Sequence, residues 1–498
     1  MIKAIFINAG NDNEEAGNAN ISSFPPLGII SMASMVKEKL GNDVEVILLD
    51  GQIDSCDFVC KRIFNEKPDI VLISMYCTGI SYSLRCARAG HKIGALVVLG
   101  NDHAMAHYDT LLKAIPNIDI ISLEEYGELT AFYLCDALLR NKNPYGISNI
   151  AYLQDGDIKI NHIIDEQYKN LRVHPLDNIP LPDRRLLKKH YWDIYLQNFV
   201  KIKSKFCDKS IATGVTTMNR ARGCLNVNHR CAYCGIRDLT IQKASGSSFW
   251  ADIRKAHEEV AANFFYECYD NFTSSISYLD ELIEAKPTDM DDYHLCVYSS
   301  ANRVSQEICA KLKTLGVYLV NLGLDSADER GLRILKGTNT CVEDNYKAVD
   351  LLTKGQIEMH VSFVLMGMGS NELTKKTMDK TLEFIKYLVQ NTSVTIVDCA
   401  LFYPDRTAPV GGLLWYPDNY KIFKDKYGLS YIHPELLPAL NKKWRDKVYI
   451  DSADITRDFA TLCGTDYAML LDYQRRIKSI CDEYSVSFGY SQAGKLDE

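Results

Sequence analysis

The chain is predicted to be an α/β protein: a Rossmann-like N-terminal domain at 1–145, a connector at 146–215, a (β/α)6 partial barrel at 216–410, and a mainly helical region at 411–498. Three observations predict this. Short β-branched runs alternate with helix-spaced segments in two separate series, as parallel strands and crossover helices do. Polar or glycine residues follow the strands of the second series, where parallel barrels place their chemistry. Beyond residue 410 the strand pattern gives way to Trp, Tyr and helical spacing.

The 498 residues are 47% hydrophobic and 24% charged, ordinary for a soluble globular protein. A net charge of −8 without a long basic run argues against a nucleic-acid surface as the main feature. Met1-Ile2-Lys3-Ala4-Ile5-Phe6 reads as a strand and not a secretory leader. No apolar run approaches the roughly 20 residues of a membrane span. Most of the 16 cysteines are scattered singly, which suits reduced thiols in the cytoplasm and small core side chains.

In the first series, Ile2–Asn8, Val44–Leu49, Ile70–Ser74, Leu96–Leu99 and Ile118–Ser122 read as buried strands. Pro26–Leu40 has helical spacing through Leu27, Ile30, Met35, Val36 and Leu40. Such a domain binds ligands at the carboxyl ends of its strands. In the connector, Asn149–Leu153 and Ile158–His162 flank an Asp155-Gly156 turn and predict a hairpin. Ile179-Pro180-Leu181-Pro182-Asp183-Arg184 is a proline-stiffened segment. Lys188–Ser210 is basic and aromatic and reads as a solvated face or the lining of an entrance.

The chemistry concentrates at Arg222-Gly223-Cys224-Leu225-Asn226-Val227-Asn228-His229-Arg230-Cys231-Ala232-Tyr233-Cys234. Thiolates are soft ligands for zinc or for iron–sulfur clusters. Three readings fit the stretch: a three-thiolate cluster loop, a zinc knuckle with His229 as its fourth ligand, or buried cysteines. After it come a helix at about Ser248–Asn263, a strand with its end at Phe264–Phe272, and strands at Leu295–Ser299, Tyr318–Leu324, Glu358–Leu365 and Thr395–Phe402.

The cysteine stretch resembles the cluster loop of the radical S-adenosylmethionine (SAM) enzymes, whose usual spacing is C-x3-C-x-aromatic-C. Here six residues, Leu225 to Arg230, separate the first two cysteines, which reads as a three-residue insertion bulging away from the iron. The N-terminal loops Pro25-Pro26-Leu27-Gly28, Gly100-Asn101-Asp102-His103 and Glu124-Glu125-Tyr126-Gly127-Glu128 resemble, in this order, those of the cobalamin-binding domain that precedes the radical SAM core in one large subfamily. The second and third loops depart from the usual Gly-Gly-Pro-His and Gly-Glu-Gly-Glu forms.

This resemblance implies a [4Fe–4S] cluster on Cys224, Cys231 and Cys234, with SAM on its open iron. Glu267 and Asp270 then face the amino-acid part of SAM, and Arg303 its carboxylate. Asp325 and Ser326 approach the ribose or methionine. Gly367, Gly369 and the Tyr233 backbone lie against the adenine. Pro26, Leu27, Gly28, Gly100, His103, Glu124 and Glu128 contribute to the cobalamin site. Tyr76 faces the lower side of the corrin. The adjacent Asp102-His103 does not match the Asp-x-His-x-x-Gly of histidine-ligated cobalamin domains, so no histidine is expected on cobalt. Tyr76, Tyr233 and Arg303 are the residues placed nearest the reaction.

The implied activity is methylation of an unactivated carbon of an organic substrate, a small metabolite or a peptide, through a 5′-deoxyadenosyl radical. An external donor such as flavodoxin or ferredoxin supplies the electrons. A rearrangement or cyclisation with the same cofactors is the alternative. A non-catalytic sensor would need neither the cysteines nor the polar barrel ends. A methylthiotransferase would normally carry a second three-cysteine set, which is not seen.

Overall fold

The computed structural model describes residues 1–12, 23–124, 126–161, 176–224, 230–236, 241–290 and 292–489. The chain packs as two compact units. One comprises Met1–Lys201, Ala212–Arg220 and Gln242–Tyr266; the other comprises Ile202–Ile211, Ala221–Ile241 and Glu267–Glu498.

The first unit is built on β1 (Ile2–Asn8), β2 (Val44–Asp50), β3 (Ile70–Ser74), β4 (Leu96–Gly100), β5 (Ile120–Ser122), β6 (Ile150–Gln154) and β7 (Asp157–Asn161). Their order is β2-β1-β3-β4-β5-β6-β7. The first five strands are parallel, and the β6–β7 hairpin joins antiparallel at the β5 edge. Order 2-1-3-4-5 places the topological switch point between β1 and β3, where open α/β sheets bind ligands. Near-continuous apolar runs such as Ile70-Val71-Leu72-Ile73 form strands because both faces are covered by helices. Phe6, Ile30, Val36, Leu72 and Leu134 share one core, each worth roughly 1.5–3 kcal/mol when fully buried.

The proline-stiffened segment ends in an ion pair. Arg184 is wholly buried, 2.7 Å from the equally buried Asp252. It also donates to Thr216 Oγ1 at 2.9 Å and to the Thr217 carbonyl at 3.0 Å. Over its helical part the basic, aromatic stretch has one solvated face, with Lys189, His190, Asp193 and Gln197 exposed, and one buried face. Helix Lys189–Phe199 buries Tyr191, Trp192, Tyr195 and Phe199. The Tyr191 and Tyr195 hydroxyls donate to the carboxylates of Asp54 and Asp50, because a buried phenol needs an acceptor.

The second sheet comprises β8 (Val215–Met218), β11 (Phe264–Glu267), β12 (His294–Ser300), β13 (Val317–Asp325), β14 (Glu358–Leu365), β15 (Val394–Leu401) and β16 (Ser487–Gly489), in the order β16-β15-β14-β13-β12-β11-β8; a two-stranded ladder pairs β9 (Ala221–Arg222) with β10 (Gln242–Lys243). The pairings from β12 through β16 are parallel, as a partial (β/α) barrel requires.

The C-terminal region is mainly helical, as expected, with two differences. The spacing across Phe459–Cys481 belongs to two helices, Ser452–Leu462 and Tyr467–Glu483, separated at Gly464, whose φ of +68° ends the first. The three-residue β16 adds a seventh strand. Trp415, Trp444, Tyr427 and Phe459 pack into one core, whereas Tyr416 and Tyr449 are exposed. Among the described residues no helix is long and apolar enough to cross a membrane.

Candidate active site

Cys224 follows the two-residue strand Ala221–Arg222 and a glycine at φ +90°. Residues 225–229, most of the six-residue gap between Cys224 and Cys231, lie outside the described residues, as does Glu125. The returning arm is fixed by backbone hydrogen bonds. Ala232 N–H donates to the Leu335 carbonyl at 2.8 Å, and Val410 N–H donates to the Ala232 carbonyl at 3.0 Å. Cys234 N–H closes a turn onto Cys231 at 3.1 Å. Arg230 clamps the exit with bonds of 2.9 and 2.7 Å to the carbonyls of Cys234 and Ile236, and Tyr427 donates to the Arg230 carbonyl at 3.1 Å.

All three cysteines are half-buried. Burial, and then the neighbouring Cys231 and Cys224, push the Cys234 thiol up to about 12. Three soft sulfur donors on one half-buried loop are the set a cationic iron cluster stabilises as thiolates, since a bound metal offsets the penalty on their charge. The cysteine set therefore fits a cluster.

Beside it lies an ion pair that the sequence did not reveal. Asp325 closes β13 at φ +57°, where the register with β14 slips between Gly323 and Asp325. A left-handed aspartate costs about 1–3 kcal/mol of backbone strain, a feature typical of functional positions. Tyr233 Oη donates to Asp325 Oδ1 at 2.9 Å, and Lys336 Nζ lies 2.6 Å from Asp325 Oδ2. Lys336 also donates to the Gly323 carbonyl at 2.6 Å. Burial pulls the Lys336 ammonium down, but Asp325 and then Cys231 outweigh it, so its pKa is raised and it stays charged. Asp325, Tyr233, Lys336 and the cluster cysteines thus share one electrostatic neighbourhood.

The other named barrel residues are placed individually. Glu267, at the end of β11, is buried, and Asp270 follows at intermediate depth. Between them Tyr269 is raised by burial first, with Asp270, Cys224 and Glu267 adding to it, which links this strand end to the cysteine loop. Arg303 is exposed on the turn Ala301–Arg303 after β12. Ser326 is buried and accepts from Asp328 N–H at 3.2 Å. The two glycines are required by packing. A Cβ on Gly367 would lie 2.5 Å from Thr465 Oγ1, and one on Gly369 (φ +105°) 2.8 Å from Tyr431 Cβ.

In the first unit, Pro26 precedes helix Leu27–Leu40, and Gly28 faces open space. At the switch point, Tyr76 Oη donates to Asn8 Oδ1 at 3.0 Å, and Asn8 Nδ2 donates to Asp50 Oδ1 at 2.8 Å. Tyr76 remains 38% exposed, so its ring is available to a ligand. Gly100 ends β4, and Asn101 donates to Ser74 Oγ at 2.9 Å. Glu124 accepts from Thr130 at 2.7 Å and from Asn149 at 3.3 Å, and Glu128 opens the next helix. His103 is buried, its ring 4.6 Å from that of His107. Asn8 was legible as the last residue of the first strand; Lys336 was not.

Residues 218–385 match the family model of the radical SAM superfamily. An uncharacterized methyltransferase of Pyrococcus horikoshii, PH0819, is 25% identical over 381 residues, covering 73% of each chain. Among solved structures, the radical SAM methyltransferase TsrM of Kitasatospora setae, with cobalamin and a [4Fe–4S] cluster bound, superposes with a TM-score of 0.64 at 14% identity, over 84% of this chain and 78% of TsrM. OxsB, a cobalamin-dependent SAM radical enzyme with aqua-cobalamin and SAM bound, gives 0.58 at 16% identity, over 98% of this chain but 62% of OxsB. At such identities the structural likeness establishes the fold. Residues 218–385 thus match a radical SAM domain, and the fold of the chain is the one seen in TsrM and OxsB.

Proposed function

We propose that the chain is a cobalamin-dependent radical SAM methyltransferase acting on an unactivated carbon. The observation that carries this is the cysteine loop with the buried Tyr233–Asp325–Lys336 group beside it. When bound, the cluster and SAM supply a one-electron route to a substrate radical, and cobalamin supplies a methyl carrier. Cys224, Cys231 and Cys234 hold the iron. Glu267 and Asp270 receive the SAM ammonium, Arg303 its carboxylate, and Asp325 with Ser326 the ribose or methionine. Gly367, Gly369 and the Tyr233 backbone bound the adenine.

Residues 1–145 hold cobalamin through Pro26, Leu27, Gly28, Gly100, His103, Glu124 and Glu128, with Tyr76 beneath the corrin and no histidine on cobalt. Residues 146–215 connect this domain to the core at 216–410, and 411–498 select the substrate. A flavodoxin or ferredoxin in the reducing cytoplasm is the donor. The methyltransferase description of TsrM and PH0819 supports methyl transfer. OxsB, described as a radical enzyme without mention of methyl transfer, favours a second reading in which the same cofactors drive another radical reaction.

The test is turnover of the anaerobically reconstituted chain with methyl-labelled SAM, cobalamin, a reductant and candidate substrates. A product heavier by one labelled methyl group, formed with 5′-deoxyadenosine, is expected. 5′-Deoxyadenosine with an unmethylated product selects the second reading, and no SAM cleavage at all overturns both.

A further inference from the structure

We propose that Cys56, Cys60 and Cys86 form a second metal site, for a thiophilic closed-shell ion such as Zn2+, separate from the iron–sulfur cysteines. Their three sulfurs lie within 4.8 Å of one another, and among the described residues no other group of thiol, imidazole and carboxylate atoms gathers so closely. A zinc–sulfur bond of about 2.3 Å sets tetrahedral ligand sulfurs about 3.8 Å apart. The cluster therefore needs little movement to close on an ion.

The arrangement comes from two helices. Cys56 and Cys60 sit four residues apart on helix Cys56–Glu66, and Cys86 faces them from helix Ile80–Lys92. Residues at i and i+4 share one helix face, the spacing by which helical metal sites present paired ligands. The same spacing disfavours a disulfide between Cys56 and Cys60. Their Cβ atoms are about 5–6 Å apart on a regular helix, whereas a disulfide requires about 3.5–4.5 Å. A disulfide to Cys86 would leave the third sulfur without a purpose.

Burial suits a bound ion with a path from solvent. Cys56 and Cys86 are buried, and Cys60 is half-buried, so an ion enters at Cys60 and a water completes its coordination there. The Arg85 guanidinium, itself paired with Asp57, lies in the field of Cys56 and Cys60 and offsets thiolate charge. On binding, the thiol protons leave to solvent and three sulfur–metal bonds replace them.

Such an ion would staple the two helices. Helix Ile80–Lys92 starts just after the Tyr76–Gly79 segment, and Asp12 caps it by accepting from the Ser81 and Tyr82 amides at 2.8 and 2.7 Å. The staple would hold the segment that carries Tyr76.

The test uses the full chain with its iron–sulfur cluster reconstituted, so that Cys224, Cys231 and Cys234 are occupied. The chain is incubated with Zn2+ and desalted. Zinc per chain, iron per chain, the zinc X-ray absorption edge and the melting temperature are then measured. The expected result is one zinc per chain, three sulfur neighbours at about 2.3 Å and a raised melting temperature. Cys60→Ser should lose the zinc and the melting shift with iron unchanged, while Cys207→Ser keeps both. Zinc at buffer background in the wild-type chain overturns the proposal. So does zinc retained in full by Cys60→Ser, or a mass two hydrogens lighter that maps to a disulfide among these cysteines.

Discussion

At the carboxyl end of β1, Asn8 donates to Asp50 and accepts from Tyr76; at the carboxyl end of β13, Asp325 is paired with Lys336 and accepts from Tyr233. Each is a strand end of a parallel sheet closed by a carboxylate and a tyrosine. The first is completed by neutral groups and leaves Tyr76 38% exposed; the second contains a full charge pair, with Asp325 2% exposed. Amides and phenols can recognise a large amide-rich ligand by shape and hydrogen bonding while remaining satisfied without it. A buried ion pair costs desolvation energy that a hydrophobic pair would not, so its retention beside the cysteines suggests that its field is used. On the proposed function, the first end serves a bulky cofactor and the second charged redox chemistry.

The comparison can be broken most severely at the iron. Cys234→Ala should abolish reductive SAM cleavage while N-terminal cobalamin binding, read from the visible spectrum, persists. Loss of both together would mean that the two ends are not separable.

Lys336→Met is next. It strands Asp325 as an unpaired buried charge, and removing one partner of a buried pair costs about 3–5 kcal/mol. Denaturant unfolding should show a loss of that order, and Asp325→Asn added to Lys336→Met should recover much of it. Recovery of stability without SAM cleavage would mark the pair as functional, whereas recovery of both would make it structural.

Tyr76→Phe removes the neutral hydrogen bond to Asn8, about 1 kcal/mol of stability in denaturant unfolding, and should also weaken cobalamin retention in a titration. An unchanged affinity would mean that Asn8 and Tyr76 only close the sheet. The smallest effect belongs to His103→Phe, which should leave the spectrum of bound cobalamin unaltered. A shift showing that nitrogen had left cobalt would overturn the expectation that no histidine ligates the metal.

Legibility in the sequence followed local signals. Glu358–Leu365 was readable to the residue because apolar residues alternate through Met359, Val361, Phe363 and Leu365 between Gly355 and Gly367. The Asp155-Gly156 turn likewise fixed the hairpin. What escaped depends on contacts distant in sequence. Lys336, in the last turn of helix Glu329–Lys336, reads as an ordinary cation opposing the helix dipole; only the fold shows it buried against a strand end. Arg184 reads as linker until Asp252, 68 residues later, is packed against it. Cys56, Cys60 and Cys86 make a second three-cysteine set that the sequence did not show, because the third lies on another helix. β16 has three residues, too few to show any periodicity.

That short strand has a consequence for biosynthesis. β16 pairs in parallel with β15, which ends at Leu401, while β16 begins only at Ser487. At translation rates of about 5–20 residues per second, the edge of β15 emerges roughly 4–17 s before its partner. An unpaired parallel edge is a template for other chains during that interval. Nascent chains should therefore depend on chaperones until the final strand is made, and C-terminal truncations just short of Ser487 should raise aggregation during expression more than they lower the stability of the soluble fraction.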